Sequence, residues 1–228
     1  LVELLNEYLT AMTDIVFRHG GTVQGYIGDA LMAFWGAPVE DPDHARKAVE
    51  AAHAMVAAES TINSRLIAEG LPPVHTRIGI NSGVAVVGNI GSKVRFNYTA
   101  LGDTINLAAR LEGLNKRYGT SVLLSEQTLA RQPGTAGFRR IEKVRVKGRS
   151  APVEVATLCD APDLIAASNE ALALYHQRNW EASDARWLAL LQSHPDDPVA
   201  QYYRRRIAQW QQQPPPDDWD GTESIHEK

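Results

Sequence analysis

The 228-residue chain has one cysteine, Cys159, and no recognisable signal peptide. It also lacks any apolar run of the roughly 20 residues that a bilayer-spanning helix requires. A single cysteine cannot close an internal disulfide. The seven histidines are scattered, with neither an HExxH motif nor a paired spacing, which argues against a zinc site. These absences point to a reducing, cytoplasmic setting, and fit equally the cytoplasmic part of a membrane-anchored protein. Net charge is also small, at −4, and unevenly spread: residues 1–160 hold 17 basic and 16 acidic side chains, residues 161–228 hold 6 and 11. The near-neutral front excludes a nucleic-acid partner of the usual electrostatic kind. One basic run stands out there, Arg139, Arg140, Lys143, Arg145, Lys147 and Arg149. It alternates with Val144 and Val146 and lacks interleaved aromatics, so it reads as a solvated strand face.

What is present is a mixed succession of helical and strand patterns. Leu1, Leu4, Leu5, Leu9, Met12, Ile15 and Val16 trace a helical stripe from the first residue, with neither Met nor an N-cap before it, so further sequence is expected upstream. Gly20-Gly21 ends that helix, and TVQGYIGDALMAFWG predicts a hairpin with Gly28-Asp29 at its turn. Asp41-Pro42 predicts a helix start, with Ala45, Ala48, Val49, Ala52, Met55 and Val56 buried. Val74–Ile80 and Val84–Val87 read as a second hairpin around Asn81-Ser82-Gly83. A strand over Phe96–Leu101, a helix over Asp103–Tyr118 closed by Gly119, and a strand over Ser121–Leu124 follow. A short helix opening at Ser125 and a β pair, Arg139–Lys147 with Val153–Leu158, complete the front. The order predicts an α+β fold, a ferredoxin-like sandwich with helices on one face of a largely antiparallel sheet. From about Asp163 the pattern is wholly helical and, over 161–212, resembles one and a half tetratricopeptide repeats, too few to stand alone. That small all-α tail is expected to pack on the front domain or on a protein partner. Residues 213–228, with PPPDDWDG, are expected to be extended or disordered.

Chemistry concentrates in a few places. The segment FNYTALGDTINLAAR, Phe96–Arg110, joins a strand to a helix and sets Asn106 and Arg110 four residues apart, hence on one helical face. An amide beside a guanidinium suits an oxyanion or phosphate, because Arg presents five donors and keeps its charge; a surface salt-bridging helix would look the same. Asp29, on a Gly-containing turn, is a candidate hard-metal ligand or an ordinary turn residue. Arg77 sits in an otherwise apolar strand, where its charge is costly unless it reaches an edge or a phosphate. Lys147 ends a strand just before Gly148, where a phosphate could approach the backbone.

Taken together and in order, GGTVQGYIGDALMAFWGAP, RIGINSGVAVVGNIG, YTALGDTINLAARLE and VRVKG resemble the class III nucleotidyl cyclase catalytic domain over about residues 1–158. The resemblance implies a catalytic domain over 1–160 acting as a homodimer, usually head to tail, with composite sites at the interface. In such a site ATP loses pyrophosphate as its 3′ oxygen attacks the α-phosphorus, giving cyclic AMP for intracellular signalling, and two Mg²⁺ or Mn²⁺ ions assist. It implies that Asp29 is the second metal aspartate, that Asn106 orients the ribose and that Arg110 stabilises charge on the α-phosphate. It further implies that Arg77 and Lys147 hold the β and γ phosphates and that Thr99 reads the purine. Two departures follow. The other metal aspartate of the family lies on a strand preceding the first helix, absent from this sequence, so residues 1–228 are expected to be inactive by themselves. Gly25 stands where adenine-specific members usually carry a base-binding Lys, which leaves GTP as an alternative substrate and a catalytically silent dimerisation module as an alternative role.

Overall fold

The computed structural model describes residues 2–94, 96–146 and 151–225. The first helix, α1 (Val2–Arg18), buries Met12, Ile15 and Val16 and leads through Gly20-Gly21 into the hairpin β1 (Thr22–Ile27) and β2 (Ala30–Phe34). Helix α2 (His44–Ala68) starts later than Asp41-Pro42 suggests. Asp41 instead builds a turn ahead of the helix: its Oδ1 accepts the Asp43 N–H at 2.9 Å, and Oδ2 pairs with Lys47 at 2.6 Å. Next come β3 (Ile78–Ile80), β4 (Val86–Gly91), β5 (Phe96–Leu101) and α3 (Asp103–Tyr118). Gly119 ends α3 at φ 68°, a conformation that only glycine adopts without penalty, and donates its N–H to Asn115 O. The front closes with β6 (Val122–Ser125), the single turn α4 (Glu126–Leu129) capped by Ser125, β7 (Phe138–Val146) and β8 (Val153–Leu158).

The main sheet, among the described residues, has the order β3-β6-β8-β7 with a last short strand, β9 (Glu223–Ile225), on the β7 edge. The pairings β3 with β6 and β7 with β9 are parallel, and the other two are antiparallel. Alternation along each strand divides its side chains between two layers. Ile80, Val122, Leu124 and Ala156 meet Ala48, Val49 and Ala52 of α2 on one face. Leu123, Ile141, Val144, Val153 and Val155 meet Leu107, Leu111, Leu114 and Tyr118 of α3 on the other. The α+β fold is thus the expected one, with helices on both faces of the sheet instead of one.

The expected hairpin around Asn81-Ser82-Gly83 does not form. Strand β3 pairs with β6, while β4 pairs with β5 in a separate ribbon, Val86 opposite Leu101 through Gly91 opposite Phe96. Side chains of the intervening loop are drawn to the helices: Asn81 Nδ2 donates to Thr104 O, Ser125 Oγ donates to Asn81 Oδ1, and Ser82 hydrogen-bonds Thr128. Residues before β3 are also not strand. Val74 exchanges hydrogen bonds with the Asn63 side chain, and the Thr76 N–H goes to Glu59 Oε2.

The C-terminal part consists of α5 (Pro162–His176), α6 (Trp180–Ser193) and α7 (Pro198–Gln212). Its apolar residues do not form a core of their own. Tyr175, Trp187, Tyr203 and Ile207 belong to the same buried cluster as Leu107, Leu111 and Ile141, with the Trp187 and Tyr203 rings stacked at 4.9 Å. Polar contacts seal the seam. Arg139, 3% exposed, makes a two-pronged pair with Asp197 at 2.5 and 2.9 Å, and Asp197 also caps α7 by accepting the Ala200 N–H. Glu223 pairs with both Arg117 of α3 and Arg206 of α7. Within the stretch from 213, expected to be extended or disordered, β9 adds to the sheet, and Arg178 donates to Pro216 O and Asp217 O. Among the described residues no helix is long and apolar enough to cross a membrane.

Two predictions concern this seam. Arg139→Ala strands the Asp197 carboxylate in a buried site, and is expected to lower unfolding free energy by about 3–5 kcal/mol in chemical denaturation. Glu142, on β7 and 2% exposed, lies 4.0 Å from His176 Nε2, and burial pushes its carboxyl above the ordinary range. The folded protein therefore holds this proton more tightly than the unfolded chain, so this contribution to stability falls as pH rises from the ordinary carboxylate range through the folded pKa. Glu142→Gln should accordingly be more stable than the parent at neutral pH in thermal melts, with the advantage shrinking towards acid pH.

Candidate functional site

Helix α3 carries the central pair. The turn that precedes it has no side-chain cap, because its N-cap is Gly102. The first turn is instead tied to the loop after β3 by the Asn81–Thr104 bond and by Thr104 Oγ1 donating to Val84 O at 2.6 Å. Beyond that turn, β3 presses directly on the helix. A Cβ placed on Gly79 would lie 2.0 Å from Ala108 O and 2.3 Å from Glu112 N, so the backbones touch where any side chain would separate them. With Leu107, Leu111 and Leu114 buried, Asn106 is left exposed and Arg110 half-buried on the open side. Arg110 Nη1 is buried and has no hydrogen-bond partner. A buried guanidinium N–H without an acceptor costs about 1–3 kcal/mol, a deficit that an anionic oxygen would remove.

Arg77 lies just before β3, exposed, and its Nε donates to Glu112 Oε1 at 2.8 Å. Glu112 is two residues beyond Arg110, a spacing that does not share a helical face, so this ion pair holds Arg77 against α3 on a different side from Arg110. Both partners are 44% exposed, which keeps the pair weak and open to exchange for a stronger anion. Asp29 stands exposed at the tip of the β1–β2 hairpin, after Gly28 at φ 65°. The Tyr8 hydroxyl, bonded to Thr76 Oγ1 at 2.8 Å, is shifted upward in pKa chiefly by burial, with smaller contributions from Glu59 and from the Asp29 charge. Asp29 is therefore within electrostatic reach of Tyr8, which bonds Thr76, the residue next to Arg77. Among the described residues no group of three His, Cys, Asp or Glu is arranged to hold a metal ion, so Asp29 is one carboxylate and does not make an ion centre. Lys147 lies outside the described residues.

Gly25 and Thr99 lie on two separate ribbons, β1–β2 and β4–β5. The pairing of β1 with β2 slips between Val23 and Gly25, leaving Gln24 as the extra residue of a bulge. Gln24 Oε1 accepts the Ala100 N–H at 3.1 Å, and the Phe34 and Tyr98 rings meet at 5.9 Å, so β1–β2 is fastened to β5 beside Thr99. A Cβ at Gly25 would meet nothing within 4 Å. Sequence reasoning passed over both Gln24 and Glu112. A glycine inside a strand is a bulge signal that could have pointed to Gln24; Glu112 offers no local signal, since its partner is 35 positions away.

Comparison with known proteins bears on this arrangement. Residues 1–158 match the family described as adenylate and guanylate cyclase catalytic domain. Adenylate cyclase 1 of Rhizobium meliloti is 43% identical over 155 residues, 68% of this chain and 23% of its own length. The adenylate cyclase of Anabaena cylindrica is 33% identical over 162 residues, 68% of this chain and 31% of its own. The chain thus spans about a quarter to a third of the curated relatives it matches. Among solved structures, the adenylyl cyclase CyaB from P. aeruginosa superposes with a TM-score of 0.64 at 33% identity, covering 71% of this chain and 83% of that one. The guanylyl cyclase Cya2 superposes at 0.60 and 34% identity, covering 69% and 79%.

The contact at Gly79 yields a prediction for the site. Gly79→Ala must push β3 and α3 apart, and is expected to cost about 2 kcal/mol or more in stability by chemical denaturation. A variant as stable as the parent would show that the helix is not set by this contact.

Proposed function

The chain belongs to the adenylate and guanylate cyclase catalytic domain family, and from that premise we propose that it forms 3′,5′-cyclic AMP and pyrophosphate from ATP in a dimer of two copies. The observation that supports this reading most directly is Arg110, whose buried Nη1 lacks an acceptor on the same helical face as the exposed Asn106. In the proposed reaction the ribose 3′ oxygen forms a bond to the α-phosphorus. The bond from that phosphorus to the bridging oxygen breaks, pyrophosphate departs, and the 3′ hydroxyl proton is lost to solvent. Asn106 orients the ribose, and Arg110 meets the negative charge that grows on the α-phosphate oxygens. Arg77 exchanges Glu112 for a phosphate oxygen of the β or γ group, a role that Lys147 shares. Asp29 is assigned to divalent metal binding of the Mg²⁺ or Mn²⁺ type, but one carboxylate does not complete such a centre.

Exposed apolar surface beside the candidate site supports a second copy. Val86 is 68% exposed, and Phe96, Tyr26 and Ile27 are also open to solvent, on the two ribbons that carry Thr99 and Gly25; Val84, just before β4, is 93% exposed. Apolar surface gathered beside candidate substrate groups fits a composite site closed by a partner, here a head-to-tail homodimer. We read α5–α7 as a tetratricopeptide-like tail over 161–212 that completes the core of domain 1–160, leaving its outer surface for a protein partner. A second reading, guanylate cyclase, is favoured by the similarity to Cya2 and by the empty space at Gly25.

The test is a cyclase assay on the full-length protein with ATP or GTP and Mn²⁺, resolving cyclic products by chromatography. Cyclic AMP is the expected product; no product from either nucleotide would leave a silent dimerisation module. Asp29→Asn and Arg110→Ala are each expected to reduce turnover by about 100-fold or more, and Lys143→Ala by less than about twofold. Equal losses in all three would refute the assigned roles.

A further inference from the structure

The bulge in β1 leaves one polar side chain held at one end and unused at the other. Gln24 has no partner on β2, and a bulged residue is released from the strict alternation of its strand. It crosses to β5, where Oε1 accepts the Ala100 N–H at 3.1 Å. A backbone N–H can only donate, so the oxygen of the carboxamide must face it, and the orientation of the amide follows from chemistry. Nε2, with two N–H donors, is left pointing away from Ala100 and hydrogen-bonds no described residue. This donor is one residue from Gly25 and, through Ala100, one residue from Thr99. The space that a side chain at Gly25 would occupy is empty.

We propose that Gln24 is a specificity-determining residue for the nucleotide, its locked amide donating to a ring acceptor on the purine edge in the space left open at Gly25. The proposal rests on the nucleotide cyclase reading above. Adenine N1 is an acceptor and matches a donor at this point. Guanine presents N–H donors at N1 and N2, which find no acceptor on Gln24 because its oxygen is committed to Ala100. Donors left unpaired in a closed site are penalised, so the arrangement favours ATP. Gln24→Glu reverses the logic. One carboxylate oxygen keeps the Ala100 bond, and the other becomes an acceptor suited to the N1 and N2 donors of guanine.

The experiment uses the full-length protein as wild type, Gln24→Glu and Gln24→Met. Binding of 3′-deoxy-ATP and 3′-deoxy-GTP, which lack the attacking hydroxyl, is measured by calorimetry, and kcat and KM are measured with ATP and GTP. Wild type is expected to bind 3′-deoxy-ATP the more tightly. Gln24→Glu is expected to move the ATP-to-GTP ratio towards GTP by about tenfold or more, mainly in KM, and Gln24→Met to weaken 3′-deoxy-ATP by about tenfold with kcat retained. A ratio that stays within about twofold in Gln24→Glu overturns the proposal, including the case where both nucleotides weaken in parallel, as a merely structural bond to Ala100 would give. Absence of cyclic product from wild type, with the deoxy nucleotides still bound, would refute the cyclase reading while the binding ratio continues to judge Gln24. Failure of wild type to bind either analogue overturns both.

Discussion

At Gly79 the backbone of β3 touches helix α3 so closely that no side chain fits between them, and the placement of the candidate site depends on this contact. Because β3 also pairs with β6 and faces α2 through Ile80, the helix is referenced to the centre of the sheet and not to a loop. Residues whose geometry matters are held more firmly by such packing than by surface hydrogen bonds. Asn106 and Arg110 inherit that rigidity. Arg77, one strand end away, inherits it less, because its tie to Glu112 is an exposed ion pair.

The inner side of α3 is fastened from below by the C-terminal helices. Tyr118 meets Tyr202 edge to face at 5.0 Å, and Arg117 reaches Glu223 of β9, which also binds Arg206. The helix that carries the polar pair is therefore packed between the sheet and α7, its open face bearing the site and its buried face completing a core shared with the tail. This explains why three helices too few to stand as a repeat array are ordered here: their aromatic residues find their burial on β7, β8 and α3. It also means that the buried Arg139–Asp197 pair at the seam is part of the front domain's stability.

The two ribbons, β1–β2 and β4–β5, are built differently. Among the described residues each is a separate two-stranded sheet, and the two are joined across the gap by Gln24 and by the Phe34–Tyr98 ring contact. Two-stranded ribbons with exposed apolar residues are marginal structures by themselves. Here they carry Asp29, Gly25 and Thr99, so the part of the candidate site with the least internal support is the part proposed to meet a partner copy.

Much of this was legible in the sequence. The stripe in α1, the hairpin with Asp29 at its turn, the helix from Asp103 to Tyr118 ended by Gly119, and the β7–β8 pair all follow from periodicities and turn residues that act over a few positions. The four ordered motifs also carried the family, because they record which residue types stand at which local geometry. What local pattern does not contain is the identity of a strand's neighbour. Alternation in Val74–Ile80 and Val84–Val87 fits equally a hairpin or two separate pairings, and long-range packing against α3 and β6 decided the latter. The same limit hid β9, a three-residue strand whose pairing with β7 depends on Arg117 and Arg206 holding Glu223, and the Gln24–Ala100 bond across 76 positions. The amino-acid sequence by itself determined most of the elements, their chemistry and the family they belong to; the tertiary structure alone decided which edges meet, which polar atoms are left without a partner, and so where a ligand has something to satisfy.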